Sequence, residues 1–190
     1  MITQRFGSKY RGWESKANNQ FMGFTHLLSA VCDNLHERKE DLNMIEIGSY
    51  MGESTMLFAS TGLFNEIHVI EPHKGSEDFN DEHGYDWDFI KKEFETNLRV
   101  FDNITHHVDF SHNISDRFEN ESIDFVYIDA DHSYEGVKRD IQLYLPKLKK
   151  NGLMAGHDYH EVWPGVVRAV DEIFGEPDVV VWDTSWLKVL

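Results

Sequence analysis

The sequence predicts an α/β fold: a doubly wound, mostly parallel sheet with helices on both faces, closing on an antiparallel C-terminal hairpin. Three observations predict it. Short apolar runs alternate with stretches of helical periodicity, the pattern of strands joined by crossover helices. Most of these runs end on an acidic residue or a glycine, where open α/β sheets present their ligand-binding groups. The chain ends on two apolar runs parted by Asp183-Thr184-Ser185, which reads as a hairpin.

The elements follow in order. The first twenty residues are polar and read as an irregular arm. From there Phe21, Phe24, Leu27, Leu28, Val31 and Leu35 fall at helical spacing, so this helix covers a sheet face or a partner. Met44 to Ile47 is the first strand, and Thr55 to Ser60 reads as helix. Ile67 to Ile70 is the second strand, followed by a helix over Asp86 to Leu98. Ile104 to Val108 is the third strand. Ile123 to Ile128 is the fourth, nearly all apolar as buried parallel strands are. A helix from Tyr134 to Leu145 stops at Pro146, and Leu153 to Ala155 is the heart of a fifth strand. Val166 to Phe174 is a helix bounded by Pro164-Gly165 and Gly175. Val179 to Trp182 and Trp186 to Leu190 form the hairpin, with Trp163, Trp182 and Trp186 expected in the core and Trp163 the best placed of them to touch a ligand. The acidic, aperiodic stretch from His73 to Asp88 is a long loop on the ligand side of the sheet.

A chain of 190 residues suits one domain, with arm and helix over 1–40 ahead of a core over 41–190. An apolar fraction of 41% supplies a core. A net charge of −16 argues against nucleic acid or an anionic membrane as partner, and is compatible with a divalent cation or a small neutral or cationic ligand. The single cysteine, Cys32, excludes an intrachain disulfide. With no signal-peptide core and no apolar run near the ~18 residues of a membrane span, a cytoplasmic protein is expected. The helix from Phe21 leaves a homo-oligomer open.

The strand ends carry the chemistry. The first gives Glu46-Ile47-Gly48-Ser49-Tyr50-Met51-Gly52, a glycine loop in which Gly48 lets the backbone turn sharply and a ligand approach. The second gives Glu71, about 20 residues on, where a carboxylate can accept from ribose hydroxyls. The third gives Asp109, the fourth Asp129-Ala130-Asp131-His132, and the fifth Gly156-His157-Asp158. Loop and acid together suggest a nucleoside site, and the lack of basic residues in the loop argues against a phosphorylated ligand. Asp131 and His132 also suit plain helix capping ahead of Ser133. The remaining histidines, among them His73, His83, His106, His107, His112 and His160, read as solvated or hydrogen-bonded residues.

The strings IEIGSYMGEST, IHVIEPH, IDFVYIDADHSYEGVKRDI and LMAGHDYH resemble the class I S-adenosylmethionine-dependent methyltransferases over residues 40 to 190. That resemblance implies a Rossmann-like sheet closing on a hairpin, where a dinucleotide-binding fold would add a parallel strand. It implies that Glu46, Gly48, Ser49 and Gly52 serve the methionine part of the cofactor, Glu71 the ribose, and Asp109 and Phe110 the adenine, with Asp129 also at the cofactor. The Asp129-x-x-His132 spacing and the acid after the next strand are similar to the small metal-dependent O-methyltransferases of sugar and antibiotic tailoring. On that likeness Asp129, His157 and Asp158 would hold a divalent cation, Mg²⁺ for preference. His132 would be the general base, with Asp129 sharing in catalysis, and the acceptor would be a hydroxyl on a sugar or polyol-like molecule. This chain departs from the pattern twice: His157 stands where the tailoring enzymes have the first acid of a pair, and Tyr159 where the catechol-type enzymes have asparagine. The rival readings are metal-free N- or O-methylation and a non-catalytic nucleoside-binding or assembly domain.

Overall fold

A computed structural model of the chain describes residues 17–38, 41–74 and 85–190. The N-terminal arm, most of the His73–Asp88 loop with His83, and the Phe21 side chain lie outside the described residues. Helix α1 (Ala17–Leu35) precedes β1 (Leu42–Ile47), α2 (Glu53–Ser60), β2 (Phe64–Ile70) and α3 (Trp87–Leu98). Then come β3 (Ile104–His107), the one-turn α4 (Ser111–Ile114), β4 (Ile123–Ile128), α5 (Tyr134–Tyr144) and β5 (Leu148–Gly156). Helix α6 (Pro164–Phe174) and the hairpin strands β6 (Val179–Val180) and β7 (Trp186–Val189) complete the order.

The seven strands form one sheet in the order β3-β2-β1-β4-β5-β7-β6. The first five are parallel, and β7 runs antiparallel to both β5 and β6. The expected doubly wound sheet with its closing hairpin is therefore what the chain forms. Strand order reverses between β1 and β4, so a crevice opens at their C-terminal ends.

Alternation along the strands divides the core in two. Met44, Phe125, Tyr127 and Leu153 face Phe24, Leu27, Val31, Phe58 and Phe94 of α1, α2 and α3. Ile45, Ile47, Val126, Ile128 and Met154 face Val137, Ile141, Val166 and Val170 of α5 and α6. Successive strand side chains point to opposite faces, so a strand covered on both is buried at every position, as β4 is; its one charged residue, Asp124, is paired with Lys149 (2.9 Å). The apolar stripe of α1 thus covers a sheet face within the chain.

Local chemistry sets the boundaries. Asp86 caps α3 by accepting from the Phe89 N–H (3.0 Å), and Ser133 caps α5 by accepting from the Gly136 N–H (3.0 Å). Helix α6 starts at Pro164 itself, earlier than expected, because a proline in the first turn forfeits only an N–H that has no helical partner. Strand β6 is shorter than expected. The Val181 N–H already bonds the Ser185 carbonyl (2.9 Å), so the turn closes early and Trp182 is left at its tip, 84% exposed rather than in the core. Trp186 is core at 1%. Among the described residues no helix is long and apolar enough to cross a membrane.

Candidate active site

The first strand end is a braced loop. Gly48 has φ +83, and a Cβ there would collide with the Asp129 carbonyl, so the β1 turn can lie against the β4 end only as glycine. The Gly48 N–H donates to the Ile70 carbonyl (3.0 Å), and the Asp129 N–H to the Ile47 carbonyl (2.8 Å), tying three strand ends together. Gly52, at φ +76, is the N-cap of α2 and packs against Phe94 and Leu98. Glu46 is fully buried beneath this loop and accepts from the Ser54 and Thr55 hydroxyls. Burial outweighs those bonds and raises its pKa to about 8, so the carboxyl is predominantly neutral at pH 7. Glu46 therefore braces the loop from below through the Ser54 and Thr55 hydroxyls.

Glu71, 7% exposed, accepts from the backbone N–H groups of Ser49 (3.1 Å), Tyr50 (2.8 Å) and His73 (2.7 Å). Burial raises its pKa and these three bonds oppose the rise. A carboxylate has about four acceptor directions, so one remains for a ribose hydroxyl without rearrangement. Pairing with both hydroxyls requires release of a backbone contact or a shared lone pair. His106, on the next strand, contacts the Glu71 carbonyl through Nε2 (2.9 Å) and packs on His73 (5.2 Å between centroids).

Asp109, after β3, accepts from the Phe110 N–H and the Asn113 amide (2.8 Å each), which hold its pKa below the usual range. It fixes the entry to α4, and Phe110 stacks on His112 (5.7 Å, 19° between planes). The one-turn helix α4 is too short to leave a periodic signal and was not expected.

Asp129, His132 and Asp158 converge. The His132 Nε2 lies 3.0 Å from Asp158 Oδ2 and 3.6 Å from Asp129 Oδ1. One ligand atom from each residue fits within a 4.8 Å span, the one such group of His, Cys, Asp and Glu among the described residues. Burial alone would lower the His132 pKa, but the bonds to Asp129 and Asp158 raise it to about 10. Its ring packs on the Trp163 indole (4.5 Å between centroids), which is 39% exposed at the rim.

This group differs from the expected metal set in one member. His157, expected as a ligand, is not in that group: Nδ1 lies 3.1 Å from Asp158 Oδ1 and Nε2 lies 3.9 Å from Asp183 Oδ2. His132, expected as the base, takes its place. An imidazole held between two carboxylates keeps its proton, which it would release on binding a cation. Asp131 is a loop residue, accepting from the Ser133 N–H (2.8 Å) and packed against Gly136. Asp183 was missed because a lone acid in a turn gives no signal that the turn folds back onto the β5 end. His68, packed at a tilt against His107 and edge-on to Phe118, was not singled out either.

A parallel sheet in this order with an antiparallel seventh strand, a glycine loop after β1 and an acid after β2 define the class I methyltransferase fold. Residues 45–159 match the family model described as a methyltransferase domain, and the chain belongs to that family. It is an S-adenosylmethionine-dependent methyltransferase. An uncharacterized protein of Acanthamoeba polyphaga mimivirus is 28% identical over 172 residues, covering 83% of this chain and 72% of the relative. The O-methyltransferase NovP superposes with a TM-score of 0.68 at 15% identity, covering 98% of this chain and 88% of NovP. The TDP-rhamnose 3'-O-methyltransferase of calicheamicin biosynthesis gives 0.59 at 14% identity, covering 99% and 92%. A protein from Corynebacterium glutamicum gives 0.64 at 13%, covering 100% and 90%. At these identities the superpositions speak for the fold.

The residues present fit the cofactor of that family. Gly48 and Glu71 lie side by side at the paired C-terminal ends of β1 and β2, joined through the Ser49 N–H that donates to Glu71 (3.1 Å). The donor set of Asp129, His132 and Asp158, two hard oxygens and one imidazole, also fits a divalent cation.

Proposed function

We propose that the protein transfers the methyl group of S-adenosylmethionine to a hydroxyl of a sugar or polyol-like acceptor, with a divalent cation held by Asp129, His132 and Asp158. The observation that carries this reading is the meeting of two carboxylates from adjacent strand ends on one imidazole nitrogen, at 3.0 and 3.6 Å. Two of the fold neighbours named above are O-methyltransferases, one of them acting on a sugar nucleotide, which supports a hydroxyl as acceptor.

A bound cation supplies Lewis acidity, lowering the pKa of a chelated hydroxyl. The chain's own residues supply position. Glu71 receives the ribose, and the Ser49–Tyr50 backbone that it anchors shapes the floor beside it. The Asp129 N–H is bonded to Ile47 at the start of that same loop, so the donor loop and the cation group share one rigid corner. Fixing methyl donor and acceptor on adjacent strand ends replaces a bimolecular encounter with an oriented one. In this reading His132 is a ligand, the S–CH3 bond breaks as the O–CH3 bond forms, and the hydroxyl, its pKa lowered, gives its proton to solvent water.

The test is turnover of a panel of sugars and polyols with Mg²⁺ and after exhaustive chelation, beside calorimetric titration with S-adenosylhomocysteine. Chelation is expected to remove turnover and Mg²⁺ to restore it. Asp129→Asn should lose turnover while keeping S-adenosylhomocysteine binding within about tenfold of wild type. Full activity after chelation would leave metal-free transfer as the reading. Cofactor binding without turnover on any acceptor, with or without Mg²⁺, would favour a binding domain.

A further inference from the structure

We propose that His157 and Asp183 are a positioning pair that orients the Asp158 carboxylate toward the cation group, with His157 outside the ligand set. The inference rests on the cation reading above and concerns residues that reading leaves unassigned.

Asp158 divides its oxygens. Oδ2 faces His132 Nε2 (3.0 Å) and Oδ1 faces His157 Nδ1 (3.1 Å). The other nitrogen of His157 faces Asp183 Oδ2 at ion-pair distance, 3.9 Å. Both nitrogens of His157 are therefore turned to carboxylates on opposite sides. Asp183 is itself fixed: its side chain is 2% exposed and accepts from the Ser185 N–H and hydroxyl, both at 3.1 Å. Asp158 sits at φ +62, a left-handed conformation that a non-glycine residue keeps only when its surroundings impose it. Two backbone bonds flank it and do so: the His157 N–H to the Ile128 carbonyl (3.1 Å) and the Tyr159 N–H to the Thr184 carbonyl (2.9 Å). The second comes from the same hairpin turn that carries Asp183. Loss of an outer partner that orients a ligating side chain in this way typically costs about 10- to 100-fold in metal affinity. Here the turn between β6 and β7, remote in sequence from Asp129 and His132, sets the third ligand.

The experiment measures Mn²⁺ binding to the full chain by the electron paramagnetic resonance of free Mn²⁺, with circular dichroism confirming that each variant is folded. Asp183→Asn, which keeps its shape and an acceptor for Ser185, and His157→Ala are each expected to weaken Mn²⁺ by about tenfold or more. His157→Gln, whose amide can still donate to Asp158, should recover part of that loss. Pulsed resonance of the bound Mn²⁺ should show nitrogen from one imidazole, unchanged in His157→Ala. Loss of a nitrogen coupling in His157→Ala would make His157 a ligand and overturn the proposal. Wild-type affinity in both Asp183→Asn and His157→Ala would overturn it as well. A wild-type protein that binds no Mn²⁺ fails at the earlier step: it removes the cation reading, and this inference with it.

Discussion

At the scale of single residues, the site is organised by carboxyl groups whose surroundings give them different tasks. Glu71 is charged-bond limited: its three backbone donors leave it one free direction. Replacing it with glutamine keeps the shape but turns part of the acceptor into a donor facing N–H groups. Glu71→Gln should therefore weaken S-adenosylhomocysteine by roughly 1–3 kcal/mol, the usual cost of a lost charge-assisted bond. Calorimetry reads this directly, and unchanged affinity would remove Glu71 from the ribose. Glu46 makes a different prediction. Its folded-state pKa of about 8 lies above the ordinary carboxyl value, mainly because burial disfavours the charge. The folded protein then binds more protons than the unfolded chain between the two values, so this group's stabilising contribution is full below the unfolded pKa and is lost as pH rises through about 8. Glu46→Gln mimics the neutral carboxyl and cannot lose that proton. The melting temperature of the variant relative to wild type should rise across that window and level off above it. A difference that stays flat with pH would mean the buried carboxyl is not the titrating group.

At the scale of elements, the strands were legible because the sheet is covered on both faces. Isolated apolar runs such as Ile123–Ile128 have no other home, and the boundary residues Asp86, Ser133 and Gly175 state where helices begin and end. What escaped was set by tertiary contact. Trp182 has the composition of a core residue, yet the early closing of the turn at Val181 puts it in solvent. His132 and His157 each neighbour an aspartate, and no spacing rule tells which one turns its ring inward. Asp183, which lies 3.9 Å from His157 Nε2, comes from a hairpin outside the strand-end pattern. The same turn docks α1, because a Cβ on Gly23 would collide with the Asp183 backbone and side chain. Gly23→Ala removes a helix-weakening glycine but overpacks that contact, and overpacking costs about 1–3 kcal/mol. Lower thermal stability is expected, although the substitution raises intrinsic helix propensity. A stabilised variant would show that α1 does not pack closely on the β6–β7 turn.

At the scale of the whole molecule, charge is the dominant feature. The chain carries −16 formally, and its strand ends collect Glu71, Asp109, Asp129, Asp131 and Asp158 on one edge of the sheet. Summed acidic fields of this kind attract cations and are screened with a Debye length of about 8 Å at physiological ionic strength. The cofactor before transfer is a sulfonium, one positive charge more than the S-adenosylhomocysteine left after it. The field should therefore favour substrate over product, easing product release, beyond what local contacts provide. The measurement is the ratio of the dissociation constants of the two ligands between low and high NaCl. Affinity for S-adenosylmethionine should fall more steeply with salt than affinity for S-adenosylhomocysteine, so the preference narrows as salt rises. Parallel salt dependences would mean that discrimination comes from contacts at the sulfur alone, and that the acidic edge serves only the cation group and solubility.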